Sequence, residues 1–68
     1  MQATVDVRDM LCAQALALVG KASQRLAAGQ ALTVRYNSAD VAQDVSVWIR
    51  DRGYRIAQQD EASVTFQR

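Results

Sequence analysis

Two kinds of hydrophobic spacing alternate along this chain, and that alternation restricts the fold more than any other feature. Val41, Val45, Trp48 and Ile49 fall at i, i+4, i+7 and i+8, placing one apolar stripe on a helix predicted over Ala39–Arg52. Asn37-Ser38 offers an N-cap, and Asp40 in the first turn with Arg50 and Arg52 in the last suits the helix dipole; Gly53 ends the segment. Just upstream the spacing changes to two. Leu32, Val34 and Tyr36 alternate with Thr33 and Arg35, which predicts a strand over Ala31–Tyr36. Downstream, Tyr54 and Ile56, with Gln58 next in phase, predict a strand over Tyr54–Gln58. After a Gln59-Asp60-Glu61 turn, Ala62, Val64 and Phe66 give the inward face of a last strand. A loop this short favours an antiparallel hairpin.

The N-terminal half repeats the pattern. Val5 and Val7 alternate with Thr4 and Asp6 in a strand predicted over Ala3–Arg8. Ala13–Ala28 then reads as a helix, with Leu16, Val19 and Leu26 on one stripe widened by Ala15, Ala22 and Ser23. Gly20 lies inside it, either permitting close packing or merely tolerated, and Gly29 is placed to stop it. The element order is βαβαββ. Strands separated by helices imply right-handed parallel crossovers, and two helices with four strands in so short a chain imply two layers. The predicted class is therefore α+β: a two-layer α/β sandwich whose mixed four-stranded sheet carries both helices on one face. Thr33, Arg35, Arg55, Ser63, Thr65 and Gln67 suit the opposite, solvent-facing side. The 68 residues read as a single domain spanning 1–68.

Composition excludes more than it identifies. A net charge of +1 gives no prior for nucleic acid or a membrane surface. A long apolar run and a charged-then-apolar leader are both lacking, so neither a membrane span nor export is expected. One cysteine cannot form an internal disulfide, and a reducing, cytoplasmic setting is the expectation. Without histidine the chain lacks the usual base for a nucleophile and the commonest metal ligand.

That cysteine, Cys12, stands where the first strand gives way to the first helix. Orphan N–H groups and the positive end of the dipole favour an anion there, which lowers a thiol's pKa. The backbone N–H groups of Ala13, Gln14 and Ala15 are candidate donors to a thiolate; Arg8 adds positive charge and Asp9 opposes it. Position alone also allows a plainer role, in which Cys12 is a small buried hydrophobe of the turn. Arg25, Arg50, Arg52, Arg55 and Arg68 read either as an acidic-partner or RNA surface or as ordinary solvated positions. Trp48 reads as core, and Asp40, Asp44 and Asp51 do not make a metal site by themselves.

The stretch around Cys12 resembles the opening of the TusA/SirA-like sulfur-carrier family, Leu-Asp-x-x-Gly-Leu-x-Cys-Pro-x-Pro. Val5, Asp6, Met10 and Cys12 fit it; Asp9 replaces the glycine, and Ala13 and Ala15 replace the two prolines. Farther on, Ser38-Ala39 replaces the family's Asp-Pro, Asp44-Val45-Ser46 its Asp-Ile-Pro, and Trp48 fits the aromatic that follows. Gly29 matches a glycine after the first helix, and Gly53-Tyr54 stands for a Gly-His pair. The resemblance implies the same βαβαββ sandwich and a carrier that holds sulfane sulfur as a persulfide on Cys12. It implies protein partners: a donor such as a rhodanese or cysteine desulfurase, and an acceptor protein. It implies no cofactor, no metal and no turnover of its own. Two other readings stay open: a non-carrier interaction module of the same fold in sulfur or redox regulation, and RNA binding on the open sheet face.

Overall fold

The computed structural model describes residues 3–68. The elements run β1 (Ala3–Asp6), α1 (Cys12–Ser23), β2 (Ala31–Arg35), α2 (Ala39–Asp51), β3 (Arg55–Gln59) and β4 (Ser63–Gln67). This is the predicted order. The sheet is mixed, in the order β1-β2-β4-β3: β1 lies parallel to β2, and β4 is antiparallel to both β2 and β3. The expected hairpin is present, with Ile56 opposite Phe66.

The core lies between the sheet and the helices. Val7, Leu32, Val34, Val64 and Phe66 supply the sheet side; Ala15, Val19, Val41, Val45 and Ile49 supply the helix side. On the other sheet face Thr33 and Thr65 are directly opposite each other and share a 2.8 Å hydroxyl–hydroxyl bond, so that face is only partly wet. Trp48 is half-buried rather than core. Its ring meets Tyr54 and Phe66 edge-on at 5.9 and 6.2 Å between centroids, and the Arg52 guanidinium covers it at 5.1 Å.

Several boundaries differ from those read in the sequence, each for a physical reason. The first helix ends at Ser23, not Ala28. The chain leaves through bonds from Arg25 to Ala22 and from Leu26 to Ser23, and the Arg68 guanidinium donates to the carbonyls of Ser23, Gln24 and Leu26. A cation from the far end of the chain thus satisfies carbonyls that another helical turn would have used. Gly29, at φ 85°, belongs to the separate turn closed by the Gln30 N–H on the Ala27 carbonyl.

In β3 a bulge between Ile56 and Gln58 resets the alternation. Gln58 therefore pairs with outward-facing Thr65, while Gln59 pairs with inward-facing Val64 and donates to the Ser46 hydroxyl at 2.7 Å. Ala62, expected on the inward face, is exposed and outside β4. Its N–H donates to the Asp60 carboxylate, as does that of Ser63, both at 2.8 Å, and these bonds hold the Asp60 pKa below its ordinary value. Ser38 occupies the N-cap of α2 without a side-chain cap bond. Gly20 faces α2, where an added Cβ would sit 3.8 Å from the Trp48 ring, an ordinary van der Waals contact.

Candidate functional site

Cys12 is the first residue of α1, in the turn that leaves the C-terminal end of β1. Three features build this turn. Asp6 and Arg8 form a bidentate side-chain pair, with contacts of 3.0, 3.2 and 2.8 Å, and the Asp6 carboxylate also accepts the Arg8 N–H. Those contacts hold the Asp6 carboxyl down at about 2. Asp9 then adopts φ 64°, the left-handed conformation that a glycine would take without strain. Finally Leu11, at the N-cap, has no side-chain acceptor to offer, and Gln14 reaches back to accept the Leu11 N–H at 3.2 Å.

Asp9 keeps its conformation through Asn37 at the end of β2. The Asp9 N–H donates to Asn37 Oδ1 at 3.0 Å, and Asn37 Nδ2 donates to Asp9 Oδ1 at 2.8 Å. The loops that start the two helices are therefore tied together, and they bring the start of α2 beside the start of α1. Cys12 is partly buried and is a free thiol.

The sequence-predicted site residues divide. Ala13 and Gln14 lie in the first turn of α1, where their N–H groups have no carbonyl one turn back. Ala15 is not a donor to the site: it is fully buried, and its N–H bonds the Leu11 carbonyl at 2.9 Å. Arg8 is committed to Asp6 rather than to the sulfur. The charges that bear on Cys12 come instead from α2. The thiol's pKa is pushed up, first by its hydrogen bond to the Asp44 carboxylate, then by burial and by the negative charges of Asp44 and Asp40. The backbone at the helix start pulls the other way and is outweighed. The expectation of a lowered pKa is thus reversed: a thiolate here would face two carboxylates, and the neutral thiol is the favoured form.

Asn37, Asp40 and Asp44 are the residues that sequence reasoning did not assign to the site. For Asp44 a signal existed, since it stands at the Asp of the Asp-Ile-Pro pattern. For Asn37 the only signal was a polar residue next to an N-cap. Among the described residues Leu11 (73% exposed) and Val47 (47% exposed) are the large apolar side chains left open to solvent, the first beside Cys12 in sequence and the second one turn beyond Asp44. Among the described residues no group of three or more His, Cys, Asp or Glu is placed to hold a metal ion, and no helix is long and apolar enough to cross a membrane.

A family model described as sulfurtransferase TusA matches residues 3–67. The chain belongs to the TusA family. Membership points to sulfur carriage and to protein partners in a sulfur relay. No match was found among curated proteins or among solved structures. In TusA terms the structure accounts for two departures from the motif. The motif glycine is replaced by Asp9, which holds the positive φ by bonding to Asn37. The first motif proline is replaced by Ala13, a strong helix former that leaves one more N–H in the first turn of α1.

Proposed function

We propose that this TusA-family protein carries sulfane sulfur as a persulfide on Cys12 and passes it between protein partners. Family membership over residues 3–67, with a free, only partly buried cysteine at the first position of α1, is the observation that supports this reading. In loading, the Cys12 thiolate attacks the outer sulfur of a donor persulfide. A new S–S bond forms at Cys12, the donor's S–S bond breaks, and the donor leaves as a thiolate. The Cys12 proton departs to water. In unloading, an acceptor thiolate attacks the outer sulfur and Cys12 leaves as the thiolate. No net oxidation or reduction occurs, so the carrier needs no redox cofactor.

Donors of the rhodanese or cysteine desulfurase type fit this chemistry, in a cytoplasmic setting and in pathways of the tRNA-thiolation kind. Because Asp44, burial and Asp40 raise the thiol's pKa in the free protein, loading is fastest when a partner's cationic groups offset those carboxylates. Cyanolysis after exposure to a persulfide donor tests this role. The parent protein releases thiocyanate in a one-to-one ratio with chain, and Cys12→Ser releases none. Equal release from both would place the sulfur elsewhere.

A further inference from the structure

At the β1 edge of the sandwich, between β1 and α1, lies a cleft of about 630 Å³. Val5, Leu18, Ala22, Leu26 and Leu32 line it with apolar surface. Among the described residues the charged ones on its walls are Lys21, near the end of α1, and Arg25, in the turn that follows, and no carboxylate lines it. Both cations are exposed, and neither has an ion-pair partner among the described residues. A shallower depression shares Leu18 and Lys21 with the cleft and runs on to Gln14 and Met10.

The strand bordering this cleft has a usable edge. β1 and β3 are the two outer strands. β3 is broken by its bulge, whereas β1 is regular against β2 over all four residues. The Val7 N–H bonds the Arg35 carbonyl at 2.8 Å, so by strand alternation the backbone groups of Val5 and Ala3 face β2. Those of Thr4 and Asp6 therefore face outward, unpaired among the described residues. An outer strand free of bulges and prolines is a template for an added strand.

We infer that the β1–α1 cleft is a docking site for an extended segment of a partner protein whose every second side chain, the set on the α1 side, includes both apolar and acidic residues. The apolar ones cover Val5, Leu18 and Ala22, the acidic ones meet Lys21 and Arg25, and the segment's backbone pairs with Thr4 and Asp6. A second copy of this chain is the poorer occupant: a twofold edge-to-edge pairing would bring both sets of cations toward one another. A small apolar anion would satisfy the cations and leave the strand edge unpaired. Sulfur chemistry plays no part in this docking, so the test uses the Cys12→Ser chain.

The probe is a capped Val-Ser-Glu-Ser repeat (the Glu/Val peptide), which puts Val and Glu on one face, followed by amide spectra of the 15N-labelled protein, with a Val-Ser-Lys-Ser repeat (the Lys/Val peptide) as control. The Glu/Val peptide is expected to shift Thr4, Val5 and Asp6 together with Leu18–Leu26, and the Lys/Val peptide to leave them in place. Charge reversal in Lys21→Glu/Arg25→Glu is expected to weaken binding by on the order of tenfold or more. Thr4→Pro, tolerated on an outer strand, removes one outward N–H and weakens binding without touching the cations, which covers the case of a misfolded double variant. Four results would overturn the inference: no shift at β1 and α1; equal shifts with the Lys/Val peptide; saturation by decanoate alone, marking a small-molecule site; or β1 shifts on concentrating the protein alone, marking self-association.

Discussion

Asp9 and Asn37 bond each other twice, backbone to side chain at 3.0 Å and side chain to side chain at 2.8 Å, across the turns that follow β1 and β2. This pair is what lets a residue with a side chain occupy a φ of 64° in the loop that delivers Cys12. Asn37→Ala is expected to destabilise the protein by about 1 kcal/mol, the net value of an ordinary hydrogen bond plus exposure of the strained turn. Asp9→Gly relieves the strain while losing one bond and is expected to be close to neutral. The decisive quantity is the coupling: Asn37→Ala costs less in the Asp9→Gly background than in the parent. Urea denaturation of the four proteins measures it, and additive costs would mean that the pair is not what holds Asp9.

Gly20 offers a stabilising change. Its helical position costs conformational freedom, and an added methyl meets the Trp48 ring at 3.8 Å rather than clashing. Gly20→Ala is expected to raise stability by about 0.5–1 kcal/mol. A lower urea midpoint would show that the helices cannot accept the methyl and that the glycine is required for packing.

Trp48 lies at the margin of the core. Trp48→Ala removes two edge-on aromatic contacts and a guanidinium stack, but the ring is not fully buried. The expected cost is about 2–3 kcal/mol, less than the roughly 3–5 of a core tryptophan. Thermal unfolding checks it; a near-zero cost would mark the ring as surface.

The periodicities of α2, β2 and β4 announced the architecture because each element buries one face on the same core, and burial imposes period on sequence. Long-range partners left no such trace. The early end of α1 depends on Arg68, at a separation of 42 residues from Leu26, and no local signal at Ser23 announces it. The bulge at Ala57 moved Gln59, not Gln58, onto the inner face. Cys12 itself was legible from its place between strand and helix. The sign of its pKa shift was not, because it turns on Asp44 and Asp40, which reach the thiol through helix–helix packing.

That sign gives a pH experiment. The thiol's pKa is raised by folding, so the stability this contributes is present below the unfolded thiol's pKa and is lost as pH rises through the folded value. Alkylation of the native protein is expected to accelerate only at alkaline pH. Asp44→Asn is expected to move the midpoint to lower pH, and every full step down the pH scale gives about tenfold more thiolate at neutral pH. Asp40→Asn, which acts through charge alone, is expected to move it less. An unmoved midpoint in Asp44→Asn would mean that the carboxylate does not govern the thiol.

Intact mass after exposure to a persulfide donor tests sulfur carriage most directly. One added sulfur, about 32 Da, is expected on the native parent. That increment is expected to disappear when a second thiol protein is added, and never to form on Cys12→Ser. A native protein that never gains the mass, with Cys12 alkylated only after unfolding, would contradict sulfur carriage and leave the chain as a TusA-family interaction module without a cargo.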